Sequence, residues 1–323
     1  MRSQGWWRSA SSFAAVTERE PQPQNFGMTW AGDCTFARLP RMQPGEAADY
    51  AVIGVPYDLG VTNRPGARFG PRAIREQSTL SGEFADELWP WSEDSMGGGR
   101  SVDAGDVMFH PGTTDEMLDS TQRTVSRLLQ AGTRVVSLGG DHLVSLPLLR
   151  AHHEHHGQMA LVHFDAHCDT WEYDESAPLH HGMMFLKAAR EGLIDPARSV
   201  QVGMRTPNDT MGFNVFDMNA FLEMGVNGVV QAIRELAVGL PIYLTIDIDS
   251  LDPAFAPATG TPVIGGLTTA QLRSILFKLA GLPIVGADLV EVAPHYEGPA
   301  QITALAGATL AHDELHLLAA APR

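Results

Sequence analysis

The sequence HFDAHCDT carries three side chains at alternate positions that can bind a metal ion: Asp165, His167 and Asp169. A second apolar run ends in TIDID, with Asp247 and Asp249 spaced in the same way. Alternate residues of an extended chain point to the same side, so each set can converge on one place. Two bare carboxylates held close together repel and raise each other's pKa unless a cation lies between them. The spacing therefore favours a metal site.

His142, in the sequence GGDH, follows a further apolar run and completes a set of four carboxylates and two imidazoles. This set is larger than one ion needs and fits two ions that share carboxylates. Two divalent ions roughly 3.5–4 Å apart lower the pKa of a water molecule and direct it at an electrophile. Oxygen-rich ligands with imidazole suit Mn²⁺, and ligand type alone also admits Co²⁺, Ni²⁺ and Zn²⁺. We expect Cys168 to point away from this site as a small buried residue.

Short apolar runs alternate with helical patterns from about residue 50, and they predict the elements that position these side chains. The predicted strands are YAVIGVP, TRVVSLGG, MALVHFD, SVQVGM, PIYLTIDID and PIVGADLVEV. The predicted helices include DEMLDSTQRTVSRLLQAG, TAQLRSILFKLAG and ITALAGATLAHDELHLLAA. Continuous apolar strands separated by helices predict an α/β fold with a mostly parallel sheet covered on both faces. The polar residues end four of these runs, which is where open α/β sheets bind ligands.

The composition is acidic, with 22 Lys and Arg against 38 Asp and Glu and a formal net charge of −16. Such a surface repels phosphate backbones and disfavours a nucleic-acid partner, whereas a small cationic molecule is attracted. Two cysteines exclude a disulfide framework and favour the cytoplasm. No apolar run reaches the roughly 18 residues of a membrane span.

The domain organisation follows from the absence of a linker or a composition break after the N-terminus. We interpret residues 1–25 as a flexible extension and residues 26–323 as a single catalytic domain. The tract HHEHH at residues 152–156 follows a predicted helix, and we interpret it as a solvated helix end rather than a metal site.

The blocks GGDHLVSLP, HFDAHCDT and TIDIDSLDPAFAPATGTPVIGGLT resemble the three signature regions of the ureohydrolases, the family of the arginases and agmatinases. The resemblance is closest to the agmatinases and extends from about residue 35 to the C-terminus, including VTNRPGARFGPRAIREQS and DLVEVAP. It implies a three-layer arginase-like fold. It also implies a hydrolase with two metal ions, Mn²⁺ first among them, that converts a linear guanidino compound to an amine and urea. Agmatine, which yields putrescine, is the substrate implied.

The resemblance also implies roles for individual residues. One ion would be held by His142, Asp165, Asp169 and Asp247, and the other by His167, Asp165, Asp247 and Asp249. His181 falls where the family has a histidine that moves protons, and Glu291 falls where a carboxylate holds the guanidinium. These roles agree with the chemistry, since a carboxylate can accept two parallel N–H bonds and a histidine can protonate a leaving amine near neutral pH.

Four positions qualify the choice of substrate. Trp171 stands where arginases have an asparagine that reads the α-amino acid group, which disfavours free arginine. Met183 stands where agmatinases commonly have a small hydroxyl residue, and His180 where an acidic or small residue is common. The loop HYEGPAQITA is one residue longer than usual and contains Glu297. If Met183 and this loop line the pocket, 4-guanidinobutanoate, an alkylated guanidine and a biguanide are candidate substrates; the alternative is that Met183 packs beneath the site.

Two further hypotheses belong to other classes of protein. A catalytically weak subunit could act in a mixed oligomer with a paralogue, but the complete set of predicted ligands argues against this. A deacetylase of similar fold would manage with fewer acidic ligands around a single zinc. The resemblance itself implies a homo-oligomer, either a trimer or a hexamer.

Overall fold

A computed structural model describes residues 30–83, 90–91, 98–172, 177–207 and 209–322. The predicted N-terminal extension, residues 1–25, lies outside the described residues. The strands are β1 Tyr50–Val55, β2 Ser101–Asp106, β3 Arg134–Gly139, β4 Ala160–Phe164, β5 Val200–Met204, β6 Asn214–Asp217, β7 Ile242–Asp247 and β8 Ile284–Val290. The helices are α1 Gly70–Glu83, α2 Thr114–Gln130, α3 Ser145–His156, α4 Met184–Arg190, α5 Met218–Leu236, α6 Thr269–Lys278 and α7 Ile302–Ala320.

The eight strands form one sheet in the order β2-β1-β3-β8-β7-β4-β5-β6, and every pair is parallel. Alternate strand residues belong to two separate apolar clusters: Val52 lies in one and its neighbour Ile53 in the other. Buried residues of α1, α5, α6 and α7 complete the first cluster, and those of α2, α3 and α4 complete the second. The sheet is therefore the middle of three layers, which confirms the predicted α/β class.

All six strands predicted from apolar runs are present, and the three predicted helices quoted above correspond to α2, α6 and α7. The two strands that were not predicted, β2 and β6, are the edges of the sheet. Both are incompletely buried, and their sequences SVDAGD and NVFD contain polar residues because an edge strand is covered on fewer sides. Among the described residues, no helix is both long and apolar enough to cross a membrane.

The four strands that end in predicted site residues, β3, β8, β7 and β4, are neighbours at the centre of the sheet. Since they are parallel, their carboxyl ends meet at one rim. The register pairs Leu138 with Leu289 and Phe164 with Ile246, so these strands end at nearly the same level. The sheet thus brings together four polar segments that are far apart in the sequence.

Gly140 shows how closely the segments after β1 and β3 pack at this rim. A Cβ at this position would lie 1.7 Å from the carbonyl oxygen of Tyr57, which is far inside van der Waals contact. The same carbonyl accepts the N–H of Asp141 at 2.8 Å, and the N–H of Gly140 reaches Val55 O at 2.9 Å. Glycine therefore allows two backbones to touch at the point where the chain turns towards His142.

The histidine tract at residues 152–156 is a helix end that is exposed at Glu154 and His155, as predicted, but His152 departs from this prediction. It forms the last turn of α3, and His152 is fully buried with its Nδ1 2.8 Å from Leu148 O. The helical spacing from Leu148 places His152 on the face that packs on the sheet, against Tyr243 and Gly286. Burial lowers the pKa of His152 to about 4. The imidazole therefore remains neutral in the folded protein.

His152 makes the fold sensitive to acid. Its folded pKa lies below the ordinary value of 6.5, so stability is lost as the pH falls from 6.5 towards 4. We expect the free energy of unfolding to fall by about 2 kcal/mol between pH 7 and pH 5 because of this residue. Urea unfolding at the two pH values should therefore show a smaller difference for His152→Leu than for the wild type. The exposed His155 is the control, and an equal change in His152→Leu and His155→Gln would contradict the assignment.

Candidate metal centre and active site

The structure brings all six predicted metal ligands into one cluster, in which every side chain but the partly exposed His167 is buried. His142 lies at one centre of this cluster. Its Nδ1 lies 3.0 Å from Asp169 Oδ2, 3.1 Å from Asp165 Oδ2 and 3.4 Å from Asp247 Oδ2. All four side chains are buried. One imidazole nitrogen surrounded by three carboxylate oxygens is an arrangement that a cation can satisfy.

His167 lies at the other centre of the cluster. Its Nδ1 lies 3.3 Å from Asp165 Oδ1 and 3.2 Å from Asp249 Oδ2. The two oxygens of Asp165 therefore face different imidazoles, Oδ2 towards His142 and Oδ1 towards His167. One carboxylate therefore lies between the two imidazoles of the cluster.

Backbone N–H groups orient these carboxylates. Asp247 Oδ1 accepts the N–H of Asp249 at 2.8 Å, and Asp249 Oδ1 accepts the N–H of Ala166 at 3.0 Å. In both residues the other oxygen, Oδ2, is left to face an imidazole of the cluster. Asp169 has a positive φ of 53°, a conformation that costs energy outside glycine and that is characteristic of functional sites. The strand ends therefore present preoriented oxygens.

The electrostatics of the cluster favour positive charge within it. Burial raises the pKa of Asp247 well above its ordinary value, and Asp249 and Asp165 add to this effect. Burial likewise raises the pKa of Asp249 to about 6, with a contribution from Asp165. Burial opposes a charge on His167, but hydrogen bonds to Asp165 and Asp249 outweigh it and raise its pKa to about 12. Divalent cations would supply this positive charge, so the donor set fits them.

His181 and Glu291 lie beside the cluster and contact each other. His181 Nδ1 is 2.7 Å from Glu291 Oε1, which also accepts the N–H of His142 at 2.9 Å. Glu291 has a positive φ of 65° and is fully buried. Burial lowers the pKa of His181, but Glu291, Asp169 and Asp141 raise it to about 9. His181 therefore holds a proton at neutral pH.

Glu291 Oε2 is buried and has no hydrogen-bond partner among the described residues. Because Oε1 already accepts two N–H groups, Oε2 is the oxygen that a substrate can use. The predicted pair of parallel bonds to both oxygens would require His142 or His181 to release Oε1.

Thr62 is a residue that the sequence did not indicate. Its backbone N–H lies 3.1 Å and its hydroxyl 2.7 Å from His181 Nε2. The hydroxyl can donate to a neutral imidazole or accept from a charged one, whereas the backbone N–H can only donate and so matches the neutral state with the proton on Nδ1. Thr62 is exposed at the rim. It connects His181 to solvent.

His163 and Asp141 were also missed. His163 Nε2 lies 2.8 Å from Asp165 Oδ2, and both side chains are fully buried. Its position two residues before Asp165, in the same alternation, was the signal that could have revealed it. Asp141 accepts the N–H groups of Gly60 and Leu143, and burial together with Glu291 raises its pKa to about 8.

The four predicted pocket residues differ in their placement. Trp171 is 44% exposed and lies over Gly182, with an edge contact to His180 at 6.1 Å. Met183 is fully buried, and its sulfur lies 3.4 Å from the N–H of His180. Glu297 Oε1 accepts the N–H of Ala304 at 2.7 Å and so caps the start of α7. Trp171 and His180 thus adjoin His181, whereas the contacts of Glu297 are with a helix.

Cys168 is buried, and burial with the nearby Asp165 and Asp169 raises the pKa of its thiol to about 12. A metal ligand would have to be the thiolate, which this environment disfavours. The metal-compatible groups among the described residues consist of histidine and aspartate.

Comparison with known proteins gives consistent relationships. The sequence model of the arginase family matches residues 48–316. An agmatinase from Proteus mirabilis is 50% identical over 288 residues, which are 88% of this chain and 93% of the relative. The crystal structure of a hypothetical agmatinase from Burkholderia thailandensis has a TM-score of 0.86 and 44% identity, covering 90% of this chain and 92% of the other. Proclavaminate amidino hydrolase from Streptomyces clavuligerus has a TM-score of 0.83 and 38% identity, covering 90% and 98%.

The chain belongs to the arginase family. It has the arginase-like fold that the sequence resemblance implied, and it is a metal-dependent hydrolase of carbon–nitrogen bonds. The buried histidine and aspartate cluster at the rim of its sheet is compatible with the metal centre of such an enzyme.

The contact between Thr62 and His181 can be tested by removing one hydroxyl. Thr62→Val keeps the backbone N–H that reaches His181, and we expect the rate of hydrolysis to fall about tenfold, since a lost hydrogen bond costs roughly 1.5 kcal/mol. Thr62→Ser keeps the hydroxyl and should retain most of the rate, measured as initial velocity at saturating substrate. Wild-type velocity in Thr62→Val would show that the hydroxyl has no part in the reaction.

Proposed function

We propose that this protein hydrolyses agmatine to putrescine and urea at the centre formed by His142, Asp165 and their neighbours. The observation that carries the proposal is the cluster itself: six histidine and aspartate side chains converge beside Glu291 Oε2, which has no hydrogen-bond partner among the described residues. The relatives named agmatinase, which align over most of both chains, support agmatine as the substrate. The acidic net charge of −16 favours such a cationic molecule over nucleic acid.

The metal ligands that we propose are the six predicted from the sequence. One ion would be held by His142, Asp165, Asp169 and Asp247, and the second by His167, Asp165, Asp247 and Asp249. Two divalent ions, Mn²⁺ by ligand type and Ni²⁺, Co²⁺ or Zn²⁺ as alternatives, would lower the pKa of water and so supply the nucleophile at neutral pH. Asp165 is the best placed of these residues to serve both ions, because its two oxygens face the two imidazoles.

The remaining residues bind the substrate and move protons. Glu291 Oε2 accepts an N–H of the guanidinium, which fixes the plane of the group against the cluster. His181, whose Nδ1 contacts Glu291, is placed to give a proton to the leaving amine. The Thr62 hydroxyl then connects His181 Nε2 to solvent for reprotonation. Trp171 and His180, beside His181, would contact the chain of the substrate, with Met183 packed beneath them.

The setting of the enzyme is part of the same proposal. We take residues 26–323 as one catalytic domain, and the compact unit Cys34–Arg323 supports this from Cys34 onward. Both cysteines are free thiols, which supports a cytoplasmic location. The family resemblance supports a homo-oligomer, a trimer or a hexamer.

The proposed ligands predict a joint loss of metal and activity. We expect Asp165→Asn and Asp247→Asn each to lower urea release by roughly a thousandfold or more, because metal activation of water contributes several kcal/mol. Metal analysis should give about two ions per wild-type chain and fewer in both variants. Asp119→Asn, at an exposed side chain of α2, is the matched control. Full activity in either cluster variant would refute the assignment of that ligand.

Substrate choice is tested by urea release from a panel of guanidines. We expect agmatine to have the highest kcat/KM, with 4-guanidinobutanoate and arginine at least about tenfold lower, because their carboxylates approach an acidic site. Met183→Thr should leave this order unchanged, since Met183 is buried beneath His180. A higher kcat/KM for an alkylated guanidine or a biguanide would overturn agmatine as the substrate while leaving the metal chemistry in place.

A further inference from the structure

The nitrogen of His142 that points away from the cluster has a defined partner. His142 Nε2 lies 2.9 Å from Thr245 Oγ1, and both side chains are fully buried. A neutral imidazole carries its proton on one nitrogen only. If the proton is on Nε2, Nδ1 presents a lone pair to the three carboxylates; if it is on Nδ1, the proton itself occupies the place of an ion. The partner of Nε2 therefore determines whether His142 can bind a metal.

Thr245 resolves this choice through its own hydrogen bond. Its hydroxyl lies 2.5 Å from Asp288 Oδ1 and donates to it. A hydroxyl has one proton and two lone pairs, so a Thr245 that donates to Asp288 must accept from His142. The proton of His142 is then on Nε2 and its Nδ1 is bare. Thr245 and Asp288 are directly opposite each other on β7 and β8, so the sheet register maintains the contact.

Asp288 is well suited to accept this bond. Its Oδ2 also accepts the hydroxyls of Tyr243 at 2.7 Å and Ser145 at 2.9 Å, so three hydroxyl groups donate to one fully buried carboxylate. An ionised carboxylate is an acceptor only and matches three donors. Burial raises the pKa of Asp288, and the three hydroxyl donors offset this only in part. These residues form one network across β7, β8 and the start of α3.

We propose that Asp288, acting through the Thr245 hydroxyl, is a positioning residue that holds His142 in the tautomer with a bare Nδ1. The network corresponds to the general arrangement in which a carboxylate orients a metal-binding histidine, with a hydroxyl inserted between them. When the network is lost, Nε2 can give up its proton. Nδ1 can then carry a proton that points towards Asp165 and Asp169. Metal binding at His142 is then weaker, whereas metal binding at His167 is unchanged. This inference rests on the proposed metal centre.

The test is a Mn²⁺ titration of the full chain, stripped of metal, by calorimetry. We expect Thr245→Val to weaken the binding of one of the two ions by about 10- to 100-fold. The affinity for the other ion should change by no more than about twofold. Thr245→Ser, which retains the hydroxyl, should restore both affinities. Thr121→Val is the matched control, since Thr121 is equally buried and its hydroxyl has no partner among the described residues.

Asp288→Asn provides a second variant and a check on the route of the effect. If Asp288 acts through Thr245, the double variant should bind Mn²⁺ no more weakly than the worse single variant. Wild-type affinity for both ions in Thr245→Val, or in Asp288→Asn should the valine variant not fold, would overturn the inference. So would additive losses in the double variant. Failure of the wild type to bind Mn²⁺ or to release urea would instead refute the proposed function.

Discussion

Four buried carboxylates that face one another are the constraint on which the rest of this structure depends. Asp165 and Asp247 are buried, and burial together with the neighbouring carboxylates drives the pKa of Asp247 well above its ordinary value. Such a cluster is stable only with compensating positive charge, from protonated imidazoles or from bound cations. The fold meets this requirement by placing His142 and His167 at the two centres of the cluster. The metal chemistry of the family is thus a consequence of charge balance within the site.

The parallel sheet is what allows the cluster to exist. Strands β3, β8, β7 and β4 are central neighbours whose carboxyl ends reach one rim, and helices cover both faces of the sheet. Backbone N–H groups hold one oxygen of Asp247 and one of Asp249, which leaves the other to the cluster. Asp169, in the segment that follows β4, has a positive φ of 53°.

Two networks leave the cluster in opposite directions. One runs outward from Glu291 through His181 to Thr62 at the exposed rim, and its hydrogen bonds suit the transfer of protons to and from solvent. The other runs inward from His142 through Thr245 to Asp288, and its donors and acceptors hold a tautomer in place. The difference follows from the surroundings: the outward network is accessible to water, and the inward one is fully buried, so its protons have no exchange partner.

The sequence by itself determined the central strands, the α/β class and the six residues of the cluster, because apolar runs and the alternation of side chains are local properties. It did not reveal the edge strands β2 and β6, whose partial exposure weakens the apolar signal. Within the histidine tract it did not reveal the burial of His152, since the phase of α3 relative to the sheet decides which histidine is buried. Only the tertiary structure showed that Thr62 contacts His181 and that Asp288 reaches His142 through Thr245. Those contacts join segments more than 100 residues apart, so no local pattern records them.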